Sequence, residues 1–401
     1  MPGTTTAPLR RAIERLIPER PFTIEFWDGS AVSATEDGGP VFSVRSPRAL
    51  SHAVRFPNQL GLSRAYVSGE LDVDDLEALN RLAYRWTPPA FPAGSRLRLM
   101  VAAARAAGAR LLSPRPETEL RPRGALHSRG RDARAVRHHY DVSNEFFALF
   151  LDRSMTYSCA FFSRDGTSLE AAQVAKLELT CRKLRLQPGQ RVLDVGCGWG
   201  SFAIHAATCH EVNVTGITLS EQQAELARAR VKEAGVADRV SIRVLDYRDL
   251  EVEPFDAIAS IGMVEHVGAN RIDEYARRLA SLLRPGGRLL NHGIAHLHHT
   301  YDGVGPFTDR YVFPDADPLH LPRILLALER AGFVTEHVEE FGADYAETLR
   351  HWIQRLDDHL EEAIRIGGEE RVRIWQLYLH GARRAFETRF DSIYQVQAVK
   401  R

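Results

Sequence analysis

From residue 191 onward, short apolar runs alternate with segments in which apolar residues recur every three or four positions. Residues 192–195, 212–219, 240–245, 255–261 and 288–294 read as strands, because they are β-branched or aliphatic and bounded by turn residues. Between them, helical spacing resumes at Phe202, Ile204 and Ala206, again over 220–234, and again over 270–283. Pro285-Gly286-Gly287 marks the turn before the fifth strand. Residues 169–184 form an amphipathic stretch four turns long that leads into the first strand. Further on, 319–331 reads as a helix and 333–341 as a strand, and two long helical segments close the chain. This order predicts an α/β, doubly wound sheet.

The first 92 residues have a different texture. Residues 22–27 read as a strand, Asp28-Gly29 as a turn, 31–34 as a returning strand and 41–44 as a third. Residues 60–67 and 74–85 have helical spacing, with Leu76, Leu79 and Leu82 in phase. Pro88, Pro89 and Pro92 end this unit, Ser95 is placed to cap a helix over 96–112, and 113–134 is a linker rich in Pro, Arg and Gly. The expected division is an accessory α+β domain over 1–92, a basic helix and linker over 93–125, and a catalytic domain over 126–401.

Charge sharpens this division. The chain is formally neutral, yet residues 1–137 hold 21 Arg against 14 Asp and Glu, a net of +7, balanced by −7 in the remainder. Residues 93–137 alone carry a net of +8. A basic amphipathic helix can lie on an anionic membrane, or it can pack on the protein with its basic face solvated. Cys159, Cys181, Cys197 and Cys209 lack metal-type spacing, which suggests a reducing cytosol. No cationic region followed by an apolar core opens the chain, and no run of 18 apolar residues occurs.

The candidate chemistry centres on residues 191–200, Arg-Val-Leu-Asp-Val-Gly-Cys-Gly-Trp-Gly. Strand, glycine turn and helix form the nucleotide-cradling geometry of doubly wound folds. Asp194 before a G-x-G-x-G turn resembles motif I of the class I S-adenosylmethionine methyltransferases. Four further stretches narrow the resemblance: His139-Tyr140-Asp141, Tyr157-Ser158-Cys159-Ala160-Phe161, Glu265-His266-Val267-Gly268 and Phe341-Gly342-Ala343-Asp344-Tyr345. Together with motif I they resemble the cyclopropane fatty acid synthase and mycolic acid cyclopropane synthase family over residues 125–395. Residues 64–74 resemble the N-terminal extension of its longer members.

The resemblance implies a mostly parallel, seven-stranded class I methyltransferase sheet with helical additions, beside the smaller α+β domain. It also implies S-adenosylmethionine bound by Tyr157, Ser158, Asp194, Gly196, Gly198, Thr218, Leu219, Ser220 and Gln223, with Asp246 and Tyr247 near the adenine. The implied reaction is methylene transfer to a cis double bond of an unsaturated phospholipid acyl chain. Bicarbonate is the implied base, held by Cys159, Glu265, His292, the Ile294 backbone and Tyr345. An unactivated alkene that attacks a sulfonium methyl leaves a carbocation, so the site must be dry and must take up one proton. The implied setting is the cytoplasm, in peripheral contact with an anionic inner-membrane face. A homodimer is compatible and nucleic acid is not an expected partner.

Each candidate also has a structural alternative. Cys159 can be a small buried residue, Glu265-His266 an exposed helix start, His292 a core histidine and Tyr345 a packing residue. His292, His296, His298 and His299 lack a partnered ligand set, so no metal is expected. Trp352 and Trp375 suit a helical core or an acyl channel. Ala382 stands where some relatives carry a cysteine, which this chemistry does not need. Other outcomes remain open: a methyl- or methylene-branched product, a hydroxylated one, or methyl transfer to a soluble small molecule.

Overall fold

The computed structural model describes residues 6–108, 114–120, 124, 128, 130–131, 134, 143–163, 166–298 and 303–401. The His139-Tyr140-Asp141 motif, His299, the 125/126 boundary, most of the linker and the end of the basic helix lie outside them. The chain forms two compact units.

The first unit comprises residues 1–120, 306–312 and 367–384, so two later segments expected in the catalytic domain belong to it. Its sheet contains β1 (Thr23–Phe26), β2 (Ala31–Val32), β3 (Val41–Val44) and β4 (Leu71–Val73) in the order β2-β1-β3-β4. β4 has only three residues, too few for a recognisable alternation. The later segments attach by buried polar contacts. Arg64 donates twice to Glu119, at 2.6 Å each, and Tyr311 Oη donates to the same carboxylate at 3.2 Å. Arg373 donates to the carbonyls of Tyr66 at 2.5 Å and Leu71 at 2.7 Å.

The basic helix is Ala93–Ala107, and it starts after Pro92 rather than at Ser95. Proline lacks an N–H that a helix start would leave unpaired, so it suits this boundary. The alanine face is the buried one: Ala103 and Ala106 join Leu9, Ile13, Phe26 and Val44 in the core of this unit. Arg96, Leu97, Arg98, Val101 and Arg105 are exposed.

The second unit is built on a seven-stranded sheet. Its strands are β5 (Arg191–Val195), β6 (Asn213–Thr218), β7 (Val240–Val244), β8 (Phe255–Ile261), β9 (Leu283–His296), β10 (Phe333–Glu340) and β11 (Asp391–Lys400). The order is β10-β11-β9-β8-β5-β6-β7. β5 through β9 pair in parallel, and β11 runs antiparallel to both β9 and β10. The strand order reverses between β5 and β8, and such a switch point opens a crevice at the carboxyl ends of the strands.

Two expectations need correction here. The chain closes on β11 rather than on helices. Also, Pro285-Gly286-Gly287 lies inside β9: Phe255 pairs with Leu283 and Ala257 with Arg288, so residues 284–287 loop out of the ladder. Helices Leu169–Leu184, Ser201–His210 and Glu221–Glu233 cover one face of the sheet, and Ile272–Leu282 and Leu321–Arg330 cover the other. The covering faces are mostly apolar at helical spacing, which explains why these elements were readable from pattern alone. Among the described residues, no helix is long and apolar enough to cross a membrane.

Candidate active site

β5 ends at Asp194-Val195, and the chain turns through Gly196 and Gly198 at φ +79° and +53°. These are left-handed values that side chains rarely adopt. The turn is tied to β6, since the N–H groups of Gly196 and Cys197 both donate to the Ile217 carbonyl, at 3.0 and 2.9 Å. Gly216 sits opposite Asp194, and any side chain there would press on Cys197 and Ile242.

A cavity opens over this turn. Its walls include Tyr157, Ser158, Asp194, Gly196, Gly198, Thr218, Leu219, Gln223, Asp246 and Tyr247. Ser220 is not among them. Its hydroxyl accepts the Gln223 N–H at 3.3 Å and caps helix Glu221–Glu233, so it shapes the loop instead of lining the cavity. Thr218 Oγ1 donates to Gln223 Oε1 at 2.7 Å. Asp246 accepts from both the backbone and the guanidinium of Arg248, which orients its carboxylate.

The Tyr157-Ser158 loop is held from two sides. Asp152 accepts the Thr156 N–H at 2.9 Å, and Gln173 donates to the Ser158 carbonyl at 2.9 Å. Lys176 Nζ donates to Ser158 Oγ, also at 2.9 Å. Lys176 was not foreseen. It lies in phase with Ala172, Gln173, Leu177 and Thr180, all buried, and a lysine on the buried face of a helix was the available signal. Burial pulls its pKa down to about 8, opposed by Asp152, Cys159 and Asp194. Burial pushes Asp194 up to about 7, opposed by Lys176. Asp194 Oδ2 has no hydrogen-bond partner among the described residues.

Cys159, Glu265, His292, Ile294 and Tyr345 do not line this cavity. Glu265 sits in the short turn Val264–His266 after β8 and is buried, so it is not an exposed helix start. Burial pushes its pKa up to about 7, against the backbone N–H groups of Glu265 and Ile294. His292 is buried on β9, and burial together with Lys176 and Lys183 keeps its imidazole neutral. Glu265 Oε2 and His292 Nε2 find no hydrogen-bond partner among the described residues.

Phe341 links the remaining members. Its ring stacks on His292 at 6.2 Å between centroids, and its carbonyl lies 3.7 Å from the Cys159 thiol. The same carbonyl accepts the Tyr345 N–H at 2.9 Å. The Tyr345 ring packs on Phe386 at 4.6 Å. Burial raises the Cys159 pKa far above the ordinary thiol range, which is wrong for a nucleophile.

Two further residues were missed from the sequence. Gly293 has no side chain where one would collide with Val264 and stand 3.1 Å from Glu265 Oε2. Gln395 on β11 lies 3.1 Å from His292 Nδ1. Neither carries a local signal.

Among the described histidines of the run, the partners are separate ones. His292 meets Gln395, and His296 meets Asp391 and the Gly303 carbonyl. A separate group, Cys181 with His205 and His210, has Glu178 accepting from both imidazoles at 3.4 and 3.0 Å. Trp352 is buried 5.2 Å from the Tyr157 ring, whereas Trp375 belongs to the first unit.

The sheet order and the glycine turn beneath a cavity define a class I S-adenosylmethionine-dependent methyltransferase. A family model described as mycolic acid cyclopropane synthetase matches residues 127–396, and the chain belongs to that family. A probable fatty acid methyltransferase of Mycobacterium tuberculosis is 40% identical over 95% of this chain and 92% of its own length. The cyclopropane-fatty-acyl-phospholipid synthase of Escherichia coli is 38% identical over 68% of this chain and 69% of its own. The solved cyclopropane synthase MmaA2 of Mycobacterium tuberculosis superposes with a TM-score of 0.64 at 34% identity, covering 67% of this chain and 98% of that one.

Proposed function

We propose that the enzyme transfers a methylene group from S-adenosylmethionine to the cis double bond of an unsaturated phospholipid acyl chain, with bicarbonate as base. One observation carries this reading: a buried carboxylate oxygen of Glu265 and a buried ring nitrogen of His292, both without partners among the described residues. Unpaired buried polar atoms are costly, and a small polar group that both accepts and donates has the chemistry to partner each of them.

The residues present suit both groups. Gly196 keeps side-chain atoms out of the cavity, and Asp194 presents an unpaired oxygen at its wall. S-adenosylmethionine, when bound there, supplies an electrophilic methyl group. Tyr157, Ser158, Gly196, Gly198, Thr218, Leu219, Gln223, Asp246 and Tyr247 would hold it. Bicarbonate, when held by Cys159, Glu265, His292, the Ile294 backbone and Tyr345, supplies a base that apolar surroundings lack.

The residues around the reacting carbons then have three tasks. Phe147, Tyr157 and Trp352 bring aromatic rings together and exclude water. Glu265 offers negative charge toward a cationic carbon. Glu265 and His292 hold the proton acceptor in place, and such placement decides between ring closure and loss of a different proton.

Two observations support the phospholipid as substrate. The Escherichia coli relative is named for that reaction, and helix Ala93–Ala107 exposes Leu97 and Val101 among Arg96, Arg98 and Arg105. That face supports peripheral contact with an anionic membrane as part of the reading. A second reading is methyl or methylene branching of the acyl chain. It is favoured by the relative at 40% identity over nearly the whole chain, which is named a fatty acid methyltransferase.

Mass spectrometry of lipids from cells expressing the protein tests the reading. A phospholipid acyl chain that gains one CH2 and yields cyclopropane fragments supports it, and a branched chain selects the second reading. Turnover unaffected by stripping dissolved carbonate would remove bicarbonate and leave Glu265 itself as the base. Turnover only on a soluble small molecule would remove the lipid.

A further inference from the structure

His292 and Gln395 face each other in register across β9 and β11. The Gln395 side chain is 1% exposed, so its amide must find its partners within the protein. Lys183 Nζ lies 2.6 Å from Gln395 Oε1. An ammonium only donates, so the amide oxygen must face Lys183. The amide nitrogen then faces His292 Nδ1, at 3.1 Å. An –NH2 group only donates, so Nδ1 must accept, and in a neutral imidazole the proton sits on Nε2.

The chain of contacts is anchored beyond Gln395. Lys183 also donates to Glu339 Oε2 at 2.5 Å and lies over the Phe341 ring, 5.0 Å from its centroid. That same ring stacks on His292 and limits its rotation. Burial prevents the imidazole from escaping the choice by taking a second proton.

We propose that Gln395, oriented by Lys183, is a positioning residue that holds His292 as its Nε2–H tautomer, so that His292 offers the proton-acceptor site a donor. The opposite tautomer would set an Nδ1–H against the Gln395 amide N–H, donor against donor, and leave Nε2 with nothing to donate. The proposal rests on the reading above that Glu265 and His292 frame the place where the proton is removed.

Histidine-15N labelling of the full chain tests it. In the wild type, two-bond 1H–15N spectra should give His292 an unprotonated Nδ1 and a protonated Nε2. In Gln395→Met, which keeps an unbranched side chain of similar length, a protonated Nδ1 population should appear. Turnover should fall roughly 10–100-fold, as for other residues that orient a site histidine, with S-adenosylmethionine affinity unchanged. Lys183→Met, which frees the amide to turn over, should shift the tautomer in the same direction and lower turnover less. If Gln395→Met does not fold, the wild-type spectrum and Lys183→Met decide.

A wild-type His292 carrying its proton on Nδ1 overturns the proposal. So does full turnover in a variant whose tautomer has shifted. Carbonate-independent turnover that still falls with the tautomer shift would remove bicarbonate and leave the role of Gln395 standing.

Discussion

Gly293 lies directly against the Glu265 carboxylate: a Cβ at position 293 would stand 3.1 Å from Oε2 and collide with the Val264 side chain. β9 therefore has to be bare at this point for the carboxylate to reach its buried position. Gly293→Ala should cost about 1–3 kcal/mol of stability, typical of overpacking, and should lower turnover more than the loss of stability explains. Adding Val264→Ala removes the first collision and should restore stability without restoring turnover. Thermal melts and turnover of the two single variants and the double variant check this. Full recovery of turnover in the double variant would mean that Gly293 serves packing alone.

Lys176 places a cation in the core, where burial disfavours the charge. Lys176→Met removes that cost, so stability near neutral pH should be unchanged or higher. The change also removes the donor to Ser158 and a charge that opposes the rise of the Asp194 pKa. A hydrogen bond to a charged group is worth about 1.5–3 kcal/mol, so S-adenosylmethionine affinity should drop roughly 10–100-fold. Calorimetry and melting curves measured on the same preparation separate the two effects. Unchanged affinity would reduce Lys176 to a structural residue.

Stability and activity should respond to pH in opposite directions. Glu265 and Asp194 both titrate near 7 when folded, above their ordinary 4.5 and 3.8. Between those limits the folded chain holds protons that the unfolded chain has released. The associated stability is complete below the ordinary values and is lost as pH rises through about 7. The proposed function needs the Glu265 carboxylate, so on that reading kcat/KM should fall as pH drops below about 7. Glu265→Gln should flatten the loss of stability between about pH 4.5 and about pH 7. It should also lower turnover by ~10²–10⁴ and leave S-adenosylmethionine affinity nearly unchanged. An identical stability slope in this variant would refute the shifted carboxyl.

Helix Ala93–Ala107 turns its alanines into the first unit and leaves Leu97 63% and Val101 39% exposed among three arginines. Replacing Arg96, Arg98 and Arg105 with glutamine should weaken binding to anionic vesicles by about 1 kcal/mol per residue. The difference from wild type should shrink as salt rises. Leu97→Ser should remove a part of the binding that salt does not affect. Co-sedimentation indifferent to both salt and substitution would rule out this face as a lipid contact.

The glycine turn, the strand–helix alternation after residue 191 and the residues around the cavity were readable from the chain because they are local. A left-handed turn demands glycine at its own position, and an element that buries one face shows its period within its own residues. The family motifs belong to the same class, because each is a short contiguous stretch of the chain.

β11 escaped that reading for the opposite reason. Its buried positions include Ser392, Gln395 and Gln397, so it lacks the apolar signature of an inner strand, and its partner β9 lies about a hundred residues upstream. Tertiary structure alone decided that Gln395 meets His292, that Lys176 is buried beside Ser158, and that residues 306–312 and 367–384 join the first unit. The hydroxyl of Ser220 is compatible with either a ligand contact or a helix cap, and only the folded loop selects the cap. A sequence specifies which groups a chain can bring to a site. The direction of a hydrogen bond, the proton an imidazole keeps and the burial of a cation depend on partners distant in the chain, so they exist only once the sheet has closed.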